Sequence, residues 1–134
     1  MKKELIVKHA QILFTELEDK GFGRNITIDV TDDEIRKQIE DWASELGITL
    51  KMRDYTRKDG TITKQCQIKL SKFVTIGGKE ESYNETNLGF GAVVNLILVS
   101  YEYDNKFGKG KTACISTIYI IEPKHNTKLD SIAE

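Results

Sequence analysis

Two apolar runs in the last third of the chain leave it little choice of fold. In the first, Ala92, Val94, Leu96 and Leu98 fall on one face of an extended strand, and Val93, Ile97, Val99 and Tyr101 fall on the other. The second run, Ala113 to Ile121, has the same character. A strand that is apolar on both faces must be covered on both, so the pair belongs near the middle of a closed or covered sheet.

The rest of the chain supplies further strands and one helix. His9 to Leu17 is apolar at Ile12, Leu13, Phe14 and Leu17, which a strand or a short helix satisfies almost equally. Arg24 to Val30 alternates cleanly, with Ile26, Ile28 and Val30 inward. Thr31-Asp32-Asp33-Glu34 reads as a capping box with Thr31 as the cap. Ile35, Ile39, Trp42, Ala43 and Leu46 then mark one face of a helix over about 32–46, ended by Gly47. Trp42 lies on that apolar face and is read as a core residue rather than a stacking platform. Ile48 to Met52 reads as a short strand and Arg53 to Gly60 as a polar loop with an Asp59-Gly60 turn. Thr61 to Ile76 is strand-like, Gly77-Gly78 ends it, and Lys79 to Asn87 is a polar loop. Pro123, the only proline, ends the last strand.

The expected fold is mainly β with one helix. At 134 residues, one domain over 1–123 with a flexible tail over 124–134 is expected. A small five-stranded barrel of the OB type, closed to avoid free edges, is the economical solution, although patterning alone does not separate it from a β-sandwich. No apolar run is long enough to span a membrane, and MKKELIVKHA lacks the apolar core of a signal peptide. Cys66 and Cys114 sit in alternating apolar patterns. They are read as buried free thiols of a reducing compartment, with a cross-strand disulfide as the alternative.

Catalytic constellations are lacking. His9 and His125 are the only histidines and stand far apart, which argues against a metal site and a Ser/His/Asp arrangement. Gly110-Lys111-Thr112 echoes a phosphate loop. However, Asn105 stands where an upstream glycine is required, and a strand follows where a helix is needed.

Charge is distributed unevenly. The net charge is −1, yet residues 51–73 carry Lys51, Arg53, Arg57, Lys58, Lys64, Lys69 and Lys72 against Asp54 and Asp59 alone, a local charge of +5. A basic stripe of this kind matters more for polyanion binding than the overall sum. Between the two apolar runs stands Tyr101-Glu102-Tyr103-Asp104-Asn105-Lys106-Phe107-Gly108-Lys109-Gly110-Lys111. Read as a hairpin loop, it exposes Tyr101, Tyr103 and Phe107 among Lys106, Lys109 and Lys111. Rings stack on bases and ammonium groups neutralise phosphates, which suits a single strand of any sequence. The bland alternative is that the tyrosines cover a barrel end while the lysines solvate the turn.

The run from Leu88 resembles the final hairpin of the bacteriophage single-stranded DNA-binding proteins, an OB-fold family. The features that carry the resemblance are Gly89-Phe90-Gly91, the apolar strand Ala92 to Val99, Tyr101-Glu102-Tyr103, the turn Gly108-Lys109-Gly110, and the strand Ala113 to Glu122. The earlier order is similar too: Gly23-Arg24 into Ile26-Thr27-Ile28, a helix, an Asp59-Gly60 turn and Gln67-Ile68-Lys69-Leu70. The resemblance spans about residues 8–122. It implies a non-enzymatic protein, without cofactor or metal, that coats single-stranded DNA in phage replication, recombination or repair. It would work in the cytoplasm, that of the host if phage-encoded. Phage replication or recombination proteins and a second copy of the chain are the implied partners. It implies stacking on Tyr101 and Tyr103. By position, Phe107, Arg53, Arg57, Lys69, Lys106, Lys109 and Lys111 are added as DNA-binding residues, with Arg24 and Tyr55. The segment after Pro123 departs from the strongly acidic tails of several family members, its only acidic side chains being Asp130 and Glu134. Two other readings compete: a protein-binding or inhibitory module presenting the acidic helix surface (Asp32, Asp33, Glu34, Glu40, Asp41, Glu45), and a nuclease using Asp29 or Asp104.

Overall fold

The two apolar runs form the longest ladder in the molecule. In the computed structural model, β5 (Val93–Asn105) and β6 (Gly108–Glu122) pair antiparallel from Val93↔Glu122 to Asn105↔Gly108. The structure describes residues 4–18, 23–50, 52–106 and 108–124, with backbone alone at 103–105. The other strands are β1 (Glu4–Glu16), β2 (Asn25–Asp29), β3 (Met52–Thr56) and β4 (Ile62–Gly78), with the helix α1 (Asp33–Leu46) between β2 and β3.

Five of the strands close on themselves. β1 pairs with β2, β2 with β4, β4 with β6, β6 with β5, and β5 with β1. Every pair is antiparallel except β4–β6. No strand of this ring has a free edge along its whole length, the solution expected for a small OB-type barrel. β3 adds to the edge of β4 that β6 leaves open, pairing Met52↔Cys66 through Thr56↔Ile62.

The barrel interior is filled by Val7, Ala10 and Ile12 of β1, Ile26 and Ile28 of β2, Cys66, Ile68 and Leu70 of β4, Val94, Leu96 and Leu98 of β5, and Ile115, Ile118 and Ile120 of β6. On the outer face of β5, Val93, Ile97 and Val99 are half-buried. Helix α1 adds Ile39, Trp42 and Ala43 to the same core, so Trp42 is a packing residue. Gly78 closes the end of β4 against β6: a Cβ there would meet the Ile120 carbonyl oxygen at 2.6 Å and the Tyr83 ring at 2.8 Å. Both cysteines are buried and free, so the disulfide alternative is not realised.

The helix begins one residue later than the capping-box pattern suggests. Asp32 is the cap: its Oδ1 accepts from the amides of Glu34 at 2.8 Å and Ile35 at 3.2 Å. The Thr31 hydroxyl oxygen instead accepts from the Lys64 amide at 2.9 Å and ties the helix start to β4. At the other end Gly47 adopts the left-handed conformation (φ 71°) that its position requires.

Two strand boundaries differ from the sequence reading. β1 starts at Glu4 and is a strand throughout, interrupted by register shifts between Val7 and Ala10 and between Ile12 and Phe14. At the first, His9 takes a positive φ of 58° and its amide bonds Asn95 Oδ1 at 2.9 Å. β3 covers Met52–Thr56, inside the segment read as a loop, while Ile48 to Leu50 lie outside any strand. Only the turn Arg57–Gly60 is loop, closed by Arg57 N–H to Thr61 C=O at 2.8 Å and Gly60 N–H to Arg57 C=O at 2.9 Å. Among the described residues, no helix is long and apolar enough to cross a membrane.

Candidate nucleic-acid interface

The aromatic insert is a continuation of the barrel's own strands rather than a loop. β5 runs to Asn105 and β6 starts at Gly108, so only Lys106 and Phe107 lie between them. Opposed residues on an antiparallel pair share a face, and neighbours along a strand alternate. Tyr101 opposes Thr112 on the outer face, in line with Val99 opposite Cys114. Tyr103 opposes Gly110 in the backbone ladder; its side chain, like Phe107, lies outside the described residues. Lys111 opposes Glu102 and Lys109 opposes Asp104, on the other face from Tyr101. Lys109 and Lys111 therefore do not surround Tyr101 in the way a loop would have allowed.

Tyr101 instead joins residues from β4 and β6. A cleft of about 830 Å³ has Thr112 and Cys114 of β6 at its floor. One wall is Val99, Ser100 and Tyr101 of β5, and the other is Lys69 to Phe73 of β4. A second lobe of about 400 Å³ shares Lys69 and Thr112 with it and continues over Gln67, Asn25 of β2, and Thr49 and Leu50. Together they make a trough across β5, β6, β4 and β2. Its transverse row follows the ladder register: Val99↔Cys114, Cys114↔Lys69, Lys69↔Asn25. Gln67 Nε2 donates to Asn25 Oδ1 at 2.9 Å, which fixes both amides on the outer face of β4 and β2. Among the described residues lining the trough, the charged ones are Lys69 and Lys72. Burial pushes the Cys114 thiol up, against the opposing pull of the nearby Lys69 charge.

Phe73 is absent from the residues that the sequence pattern singles out. It is 86% exposed, the most exposed of the large apolar side chains among the described residues. β4 advances five residues, from Leu70 to Thr75, while β6 advances only two, from Ile115 to Thr117. The surplus bulges out and carries Lys72 and Phe73 away from the barrel. A signal is present in the sequence, since Lys72-Phe73 closes the +5 segment, but Phe73-Val74-Thr75-Ile76 reads as uninterrupted strand.

The other candidates are spread around this trough. Arg53 opposes Gln65 and Tyr55 opposes Thr63, so both share the outer face of β4 with Gln67 and Lys69, farther along the strand. Tyr55 is half-exposed. Arg57 is exposed on the β3–β4 turn, where its charge helps hold the Asp59 carboxyl below the usual range, after the larger effect of hydrogen bonds from Thr61. Lys106 and Lys109 are exposed at the ribbon's tip. Arg24 is half-buried next to Asn25 and forms an ion pair with Glu85.

No protein-family model and no curated protein sequence matches the chain. Among solved structures, the C-terminally truncated single-stranded DNA-binding protein of bacteriophage Enc34 superposes with a TM-score of 0.64 at 14% identity, covering 92% of this chain and 87% of that one. The Enc34 protein in complex with single-stranded DNA gives 0.59 at 14% identity, covering 92% and 88%. Bacteriophage T7 gp2.5, also a single-stranded DNA-binding protein, gives 0.56 at 12% identity, covering 93% and 94%. The fold is that of phage single-stranded DNA-binding proteins.

Proposed function

We propose that the chain binds single-stranded DNA without sequence preference, laying the strand along the trough across β2, β4, β6 and β5. The observation that carries this reading is the cleft itself. It holds exposed rings on two walls, Lys69 and Lys72 beside them, and no carboxylate among its described lining residues. Rings accept any base face, and ammonium groups accept any phosphate. The outer face of OB strands two and three, here β2 and β4, together with the loop joining the last two strands, is where OB barrels bind oligonucleotides. The phage proteins of the same fold support the reading, one of them having been captured with single-stranded DNA.

In this role Tyr101 and Tyr103 stack on bases. Lys69 and the basic groups of β3 and the ribbon tip, Arg53, Arg57, Lys106 and Lys109, hold the backbone. The protein works by binding alone, protecting and presenting single strands during phage DNA replication, recombination or repair. Arg24 is engaged by Glu85 and contributes less. The test is an anisotropy titration with labelled oligo-dT of about 30 nucleotides, longer than the roughly 4–16 nucleotides one OB fold covers. Duplex competitor is added, and the titration is run at two salt concentrations. Binding should outcompete duplex and weaken steeply with salt. Affinity independent of ionic strength, or no binding at low salt, overturns the reading.

A further inference from the structure

Phe73 is costly to the fold. A side chain 86% exposed contributes almost no burial, and the bulge that carries it interrupts the β4–β6 ladder between Leu70 and Thr75. Single exposed rings are ordinary on protein surfaces. This one differs in what surrounds it. It lines the same cleft as Tyr101, which is 55% exposed, from the opposite wall. Lys72 precedes it, Lys69 stands below it, and β6 floors the gap. β4 and β5 flank β6 on either side, but the bulge lies between the levels of Ile115 and Thr117 of β6 while Tyr101 is level with Thr112, so the two rings stand at different places along the cleft rather than face to face. Within the bulge the Phe73 amide donates to Ser71 Oγ at 3.4 Å.

We infer that Phe73 is a second stacking residue, and that Phe73 and Tyr101 hold different unpaired nucleobases of one strand along the cleft, with Lys69 and Lys72 on the phosphates beside them. This rests on the single-strand reading above and deepens it. Two such platforms make the cleft selective for unpaired bases, because a base in a duplex already has both faces stacked and must be extruded before a ring can hold it. A ring on a bulge, rather than in the regular ladder, can be presented edge-out without disturbing the core beneath Leu70 and Ile115.

The test uses the full chain and oligo-dT. Phe73→Ala should weaken binding by roughly 5- to 150-fold, the range spanned by base–aromatic stacking, with the salt slope unchanged. Phe73→Leu, which keeps apolar bulk but loses the π face, should fall with it, and Phe73→Tyr should restore affinity. Phe73→Trp should give emission quenched by oligo-dT, against a background from Trp42, which lies in the core and away from the trough. Weak binding to duplex should be the same in all variants. Thermal midpoints close to the native one show that the fold is intact, as expected at so exposed a site. If the native chain binds oligo-dT while Phe73→Ala binds equally well, or Phe73→Trp is not quenched, Phe73 is not a stacking residue and the single-strand reading stands. If the native chain does not bind oligo-dT at low salt, both fail together.

Discussion

Tyr101 and Lys111 lie on opposite faces of the β5–β6 ribbon: Tyr101 opposes Thr112 beside the cleft, and Lys111 opposes Glu102 on the other side. Two residues that a loop would have placed together therefore have different duties. Tyr101→Ala should weaken oligo-dT binding by about 1–3 kcal/mol with little change in salt dependence, as loss of a stacking partner does. Lys111→Gln should change affinity by less than about 1 kcal/mol, since an exposed cation facing a carboxylate across a ladder has little net charge to offer. Anisotropy titrations of the two variants side by side decide the matter. Equal losses would mean that the strand wraps around both faces of the ribbon.

Lys69 occupies the crossing point of the trough, in register with Asn25 on β2 and Cys114 on β6. A cation that meets a phosphate releases a counterion, so its removal shows in the salt slope as well as in affinity. Lys69→Gln should lower the slope of log K against log salt by about 0.7, the contribution of one phosphate on a single strand. Lys69→Gln with Lys72→Gln should lower it by roughly twice that. Titrations at four or more salt concentrations provide the measurement. An unchanged slope would place the backbone elsewhere.

How legible each element was depended on whether its partners left a periodic mark. β2, β5 and α1 each bury one clean face, and Ile26, Ile28, Leu96, Leu98 and Trp42 announced themselves by spacing alone. β1 did not, because two register shifts break its period of two and make Leu13-Phe14 resemble a helical pair. β3 did not, because Arg53 to Thr56 are all exposed on the edge of β4, where nothing selects for apolar alternation. Its strand character comes from the unpaired edge it finds, a tertiary property. The cleft was half legible. The charge of residues 51–73 and the ring of Tyr101 were visible, but the bulge that lifts Phe73 depends on the mismatch between β4 and β6, which lie far apart in sequence.

Asp32, rather than Thr31, caps α1, and the two side chains separate cleanly by mutation. Asp32→Ala removes the acceptor for the Glu34 and Ile35 amides and should cost about 1 kcal/mol, within the usual 0.5–2 kcal/mol for an N-cap. Thr31→Val leaves that cap in place and removes the acceptor of the Lys64 amide, a link between the helix start and β4. Urea denaturation should show both variants destabilised. Amide exchange should then distinguish them, with faster exchange in the first turn of α1 for Asp32→Ala and at Lys64 for Thr31→Val. Faster helix-start exchange in Thr31→Val alone would restore the capping-box assignment.

Cys66 is enclosed in the barrel, and burial pushes its thiol up from 9.0 to about 11. The folded state holds this proton more tightly than the unfolded chain does. Between about pH 9 and 11 the native state therefore binds more protons than the unfolded state, and stability falls as pH rises. Below pH 9 both states are protonated and the contribution is fully present. Across the window the loss should reach roughly 2–3 kcal/mol, at about 1.4 kcal/mol for each pH unit crossed. Cys66→Ala costs some core packing at every pH but removes this titration. Its stability should therefore decline less steeply than that of the native chain between pH 9 and 11 in parallel urea melts. At neutral pH the same enclosure keeps the thiol protonated and out of reach, so alkylation of Cys66 in the native protein should proceed only at the rate of unfolding. Parallel slopes in the two melts, or rapid alkylation without unfolding, would show that Cys66 is not sealed in the core.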